Sequence, residues 1–203
     1  MATKMNTQEH LNDPHYNHRT SHFKTVPENF GGVVFLGDSI TEMCEWHEFF
    51  PGKRIINRGI SGDSTFGVLD RLSGIIKLKP EKIFLTIGVN DLQRKYPAET
   101  VINNIKKITN ILLKETGCKI YLQSILPVIE KRLQTGIKNG TIDLVNDELR
   151  KFAYENNIEY IDNNKLMKES SGELSENFSR DGLHLNGEAY RLWIENIRAK
   201  VND

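Results

Sequence analysis

Cysteine is scarce: the 203 residues hold two, Cys44 and Cys118, far apart in the chain. That excludes a disulfide framework or a cysteine metal knuckle, and it fits a reduced compartment without demanding one. Net charge is absent too, with 27 Lys+Arg against 27 Asp+Glu, which argues against a protein that tracks nucleic-acid phosphates. The strongest apolar run, Val33-Val34-Phe35-Leu36, falls far short of the roughly 18 residues of a membrane span. There are no low-complexity tracts and no repeats, so disorder and solenoids are excluded. No His-Glu-x-x-His, Cys-x-x-Cys, P-loop or Gly-x-Gly-x-x-Gly occurs, so no metal or nucleotide cofactor is implied. The first residues lack the apolar stretch of a secretory leader, which points to the cytoplasm; a leader already removed would make the protein periplasmic or secreted.

What is present reads as one domain with an arm. Residues 1–30 are polar, rich in Asn and His, and without a sustained period; the expectation is an irregular cover ending at Gly31-Gly32. The spacing of His15, His18 and His22 would put three imidazoles on one helix face, but a solvated arm is the reading adopted over a metal site. Residues 31–203 form a single domain in which strand and helix patterns alternate. Short apolar runs at 33–36, 54–57, 82–87, 119–126 and 158–161 are bounded by turn residues, as buried parallel strands are. Helical periods run through Val68, Leu69 and Leu72 behind an Asp63-Ser64 cap, and through Val101, Ile105, Ile108 and Leu112 between Pro97 and Gly117. They recur through Ile142, Val145, Leu149 and Phe152, and through Tyr190, Ile194, Ile197 and Val201. Trp46, Phe49, Phe50 and Trp193 read as core. The alternation predicts βαβ crossovers and an α/β fold: a five-stranded parallel sheet in the flavodoxin-like order 2-1-3-4-5, covered on both faces. Such sheets bind ligands beyond the carboxyl ends of their strands.

The chemically suggestive residues fall on that rim. Gly37-Asp38-Ser39-Ile40-Thr41 follows the first strand and opens a helix, where free N–H groups and the helix dipole favour negative charge. Ser39 is thus a candidate nucleophile, with a plain N-cap at Asp38 or Ser39 as the alternative. Gly59 ends the second strand, where a glycine lets backbone approach a ligand or simply turns. Ser61 and Ser64, rival nucleophiles, are assigned to turn and cap. Asn90, in Gly88-Val89-Asn90-Asp91, follows the third strand and can donate into the same crevice or form an Asx-turn. Four of the six histidines lie in the arm, and His47 would stand about 12 Å from Ser39 along one helix. That leaves His184 as the base, with Asp181 three residues before it, close enough to accept the imidazole Nδ1–H and leave Nε2 for Ser39.

In their order, Gly37-Asp38-Ser39-Ile40, Asn57-Arg58-Gly59-Ile60, Gly88-Val89-Asn90-Asp91 and Asp181-Gly182-Leu183-His184 resemble the four blocks of the SGNH (GDSL) hydrolase family. The likeness covers about residues 31–203. It is strongest to the branch resembling the catalytic subunits of platelet-activating-factor acetylhydrolase and bacterial acetylesterases. The resemblance implies a three-layer α/β/α sandwich, Ser39 as nucleophile, His184 as base and Asp181 as its orienter. It also implies an oxyanion hole built from the Ser39 N–H, the Gly59 N–H and the Asn90 side chain. The expected activity is a carboxylic ester hydrolase acting on short-chain acyl esters, acetyl above all, of a carbohydrate or another small polar carrier. The alternatives are an acyltransferase using the same acyl-enzyme and a lysophospholipase or lipase-type acylhydrolase. Neither 127–141 nor 165–180 is apolar enough to suggest a lipid lid. No cofactor and no nucleic-acid or integral membrane partner are expected, and the resemblance admits a homodimer.

Overall fold

The computed structural model describes residues 7–203. Five strands, Val33–Gly37 (β1), Ile55–Gly59 (β2), Lys82–Thr86 (β3), Lys119–Gln123 (β4) and Glu159–Ile161 (β5), form a parallel sheet in the order β2-β1-β3-β4-β5. This is the order that the alternating pattern predicts. Pro14–Phe23 (α1) precedes them, and Ser39–Glu42 (α2), Trp46–Phe49 (α3), Thr65–Lys77 (α4) and Val89–Gln93 (α5) follow in the connections. Ala98–Thr116 (α6), Asn139–Glu155 (α7), Asn163–Met167 (α8) and Gly187–Asn202 (α9) complete the chain. None of the described helices is long and apolar enough to cross a membrane.

Every residue of β1 is buried, because the central strand is covered on both faces and so reads as an unbroken apolar run. α4, α6 and α7 pack in series on one face. On the other, Phe35, Phe84 and Tyr121 stand in register on β1, β3 and β4 and stack as a ladder, with centroids 5.0 and 4.4 Å apart. Trp46 stacks on Phe35 at 3.8 Å and meets Trp193 of α9 edge-on at 5.2 Å. Trp46, Phe50 and Trp193 are core as expected, and Phe49 is partly buried against it. Each large side chain so buried contributes roughly 1.5–3 kcal/mol.

The helix signals hold in detail. Ser64 caps α4, Pro97 precedes α6 and a left-handed Gly117 ends it, with Val101, Ile105, Ile108 and Leu112 buried between them.

Two expectations need correction. Residues 14–23, expected to be irregular, form α1: Asp13 caps it by accepting the His15 N–H at 2.8 Å, and Pro14 takes the first helical position. The helix has no apolar stripe to betray it. It is held instead by single contacts, such as the Tyr16 hydroxyl donating to the Gly67 carbonyl at 2.9 Å.

The fourth strand, expected over 119–126, stops at Gln123. Beyond it Ile125 and Val128 remain buried, and each has its N–H and carbonyl met by a side-chain amide. Asn146 accepts from the Ile125 N–H and donates to its carbonyl, each at 2.8 Å, and Asn139 does the same for Val128 at 2.9 Å. Two buried amides thus stand in for a neighbouring strand.

Candidate active site

The register aligns Gly37 of β1 with Gly59 of β2 and Thr86 of β3, so the segments that follow emerge on one rim. On the first, Asp38 is the cap of α2: its Oδ1 accepts the Ile40 N–H at 3.0 Å, which frees the Ser39 hydroxyl from that duty. Ser39 Oγ lies 3.0 Å from Nε2 of His184, a residue 145 positions later. His184 Nδ1 lies 2.6 Å from Asp181 Oδ2.

Asp181 is well held. Its Oδ1 accepts the Leu183 N–H at 2.9 Å, the His184 N–H at 2.8 Å and the Ser179 hydroxyl at 3.1 Å. Partial burial alone would raise its pKa, but the bonds from the His184 ring and from the two backbone N–H groups outweigh this and hold the carboxyl well below the usual range. The loop is tied down in turn by the Ile129 N–H donating to the Gly182 carbonyl at 2.9 Å and by Arg132 Nη1 donating to the Ser179 carbonyl at 2.8 Å.

Asn90 sits in the first turn of α5, buried, with Nδ2 donating to the Asp63 carbonyl at 2.9 Å. One amide hydrogen is thus used to fix the side chain, and the amide has a second. Gly59 is placed differently from the expectation. Its N–H is donated to Asn57 Oδ1 at 2.9 Å, so it is not a free donor. The residue must be glycine for steric reasons: a Cβ there would lie 2.2 Å from the Glu42 nitrogen and 2.8 Å from the Asp38 carbonyl oxygen. Three residues on, Gly62 takes φ +76° within the turn closed by the Asp63 N–H on the Ile60 carbonyl at 3.1 Å. A left-handed conformation favours glycine, and the Gly62 N–H makes no hydrogen bond within the described residues. The signal in the sequence was a glycine directly before the Asp63-Ser64 cap.

The rival serines are occupied. Ser64 caps α4, and Ser61 donates both its N–H and its hydroxyl to Glu42 Oε2, each at 2.6 Å. Glu42 also pairs with His15 at 2.9 Å and Arg19 at 2.8 Å, so the arm clamps the helix that Ser39 opens. Burial alone would raise the Glu42 pKa; the Ser61 and His15 bonds and the Arg19 charge bring it below the usual value. His47 lies on the separate short helix α3, not on a continuation of α2. Among the described residues no three His, Cys, Asp or Glu side chains converge as a metal site, and His15 is engaged with Glu42.

Beneath the rim lies a buried polar network. Arg71 Nε pairs with Asp63 Oδ2 at 2.9 Å, while its two Nη atoms donate to the Arg58 and Gly37 carbonyls, each at 3.0 Å. Asp91 accepts the Thr65 hydroxyl at 2.6 Å and the Thr65 N–H at 3.0 Å, joining the second and third rim segments. Burial pushes Asp38 up to about 7 and Asp91 up to about 6, and it raises Asp63 as well.

The fold and this site define a class: an α/β/α sandwich presenting a hydroxyl, an imidazole and a carboxylate at the carboxyl rim of its sheet, an arrangement chemically capable of nucleophilic acyl transfer. The model of the GDSL-like lipase/acylhydrolase family matches residues 35–192. The chain belongs to that family, a family of carboxylic ester hydrolases. Platelet-activating factor acetylhydrolase IB subunit alpha2 of Homo sapiens is 31% identical over 166 residues, covering 78% of this chain and 70% of that one. The structure of a GDSL-like lipase from Bacteroides thetaiotaomicron superposes with a TM-score of 0.82 at 24% identity, over 96% of this chain and 98% of that one. An N-acylneuraminate cytidylyltransferase of Streptococcus agalactiae serotype V is 27% identical over 175 residues, 81% of this chain but 39% of that enzyme. The chain therefore spans about two fifths of the length of that relative.

Proposed function

We propose that the domain of residues 31–203 is a serine esterase that removes short acyl groups, acetyl above all, from a carbohydrate or another small polar carrier. The observation that carries this reading is the relay from Ser39 Oγ to His184 Nε2 at 3.0 Å and from His184 Nδ1 to Asp181 Oδ2 at 2.6 Å. Asp181, kept ionised, accepts the Nδ1–H and selects the tautomer whose Nε2 is a base. His184 takes the Ser39 proton as Oγ attacks the ester carbonyl. The Ser39 N–H, the remaining amide hydrogen of Asn90 and the N–H of Gly62, in place of that of Gly59, receive the negative oxygen. His184 then hands its proton to the departing alcohol, and water activated by the same imidazole clears the acyl-enzyme.

A small acyl group is supported by what the chain lacks: neither 127–141 nor 165–180 offers the apolar cover that a long acyl chain would need. The acetylhydrolase among the relatives supports acetyl, and the relative that acts on an N-acylneuraminate, a sugar acid, supports a carbohydrate carrier. The test is a chain-length series of p-nitrophenyl esters alongside acetylated sugars, with Ser39→Ala as control. The expected result is highest kcat/KM on acetyl, steep loss with chain length, and free acetate from the sugars. A preference for long acyl chains, or full turnover by Ser39→Ala, would overturn the reading.

A further inference from the structure

Away from the rim, α1 and α4 enclose a cavity of about 490 Å³ that neither Ser39 nor His184 lines. Its apolar walls are Leu11, Phe23, Ile75 and Leu78, and Arg58 stands in it from β2. Arg58 is 5% exposed. One Nη donates to the Asn57 carbonyl at 3.1 Å, while the other is buried without a hydrogen-bond partner among the described residues. The guanidinium lies over the Phe23 ring at 4.4 Å, which covers one face and leaves that edge unsatisfied.

No lining carboxylate is available to neutralise it. Asp70 is paired with His10 at 2.7 Å and Glu28 with Lys77 at 2.8 Å. The neighbouring cations Arg71 and Arg19 add positive potential at Arg58, although Arg71 is paired with Asp63 and Arg19 with Glu42. A buried, unpaired cationic donor is costly unless something meets it.

We propose that this cavity is a second binding site, for a small amphiphilic carboxylate whose head draws the occluded Nη of Arg58 out from under Phe23 and accepts from it, and whose apolar tail lies against Phe23, Leu11, Ile75 and Leu78. A monoanion suits the single free donor edge. The volume is within the usual range for small-molecule sites.

The test uses the full chain and sodium octanoate, with octanamide as the uncharged isostere, read by calorimetric titration and by the rise in Tm. Two variants locate the binding. Arg58→Met removes the donor. Gly74→Leu fills the cavity from α4, where an added Cβ meets no atom within 4 Å and a better helix former replaces glycine. The expected result is octanoate binding at least about tenfold tighter than octanamide, and at least about tenfold weaker in Gly74→Leu with its own melting intact. Should Arg58→Met fail to fold, the octanamide comparison and Gly74→Leu carry the test. Absence of octanoate binding, equal binding of the amide, or binding untouched by Gly74→Leu would overturn the proposal.

Discussion

The middle of the sheet and its carboxyl rim are held by different forces. In the middle, Phe35, Phe84, Tyr121, Trp46 and Trp193 are locked by contact and exclusion of water, forces with little sense of direction. At the rim, Arg71, Asp63, Asp91, Thr65, Asn139 and Asn146 are equally buried but hold one another by hydrogen bonds of defined geometry. Apolar packing fixes where the strands lie. Polar pairing fixes where the loops beyond them point, and on those loops Ser39, Asn90 and His184 depend.

The sharpest way to probe the rim is to remove its reacting groups. Ser39→Ala and His184→Ala should each lower kcat by at least about 10⁴-fold with Tm little changed, and the double variant should be barely worse than either. Additive losses would mean that the two do not act as a unit. Next in size is Arg71→Met, which strands Asp63 and two carbonyls; chemical unfolding should show a loss of about 3–5 kcal/mol, with activity falling alongside. A neutral outcome would break the claim that directional pairing carries the rim. Asn90→Ala should lower kcat by about 10²–10³ through one lost oxyanion donor, at a stability cost near 1 kcal/mol for the bond to Asp63. Equal loss in KM alone would instead make Asn90 a ground-state contact.

A fourth test uses pH. The Asp38 carboxyl is pushed up to about 7, first by burial and then by Asp63 and Asp91, against the opposing Ile40 N–H. The folded state therefore prefers the protonated acid. The stability tied to this preference is whole below the ordinary carboxylate range and is lost as pH rises through about 7. Asp38→Asn keeps an acceptor for Ile40 and removes the titration. The wild type should thus lose Tm relative to the variant between about pH 4 and pH 7. Parallel curves would sink this account. The smallest effect belongs to the sheet interior: Ile83→Val should cost only about 0.5–1.5 kcal/mol and leave kcat untouched.

The interior was the more legible half because its forces follow composition and period. Val33-Val34-Phe35-Leu36 and the stripe of Val101, Ile105, Ile108 and Leu112 announce strand and helix without reference to anything distant. The four blocks at the rim were legible for another reason, since chemistry restricts which residues can occupy them. What escaped was pairing between residues far apart. Nothing near Asn139 or Asn146 says that each will satisfy the backbone of Ile125 or Val128, and no period marks α1, whose anchors are Tyr16, Arg19 and His15. The donor role of Gly59 came from the family resemblance, since a glycine at a strand end is consistent with approach to a ligand or with a turn; only the positions of Glu42 and Asn57 show that its N–H is taken and that close packing requires it.

The 145 positions between Ser39 and His184 also bear on how the protein is made. A growing chain exposes the hydroxyl and most of the sheet long before the imidazole leaves the ribosome. On the proposed mechanism the serine has no proton acceptor until then, so a half-synthesised or prematurely terminated chain would be chemically silent and competence would arrive in a single late event.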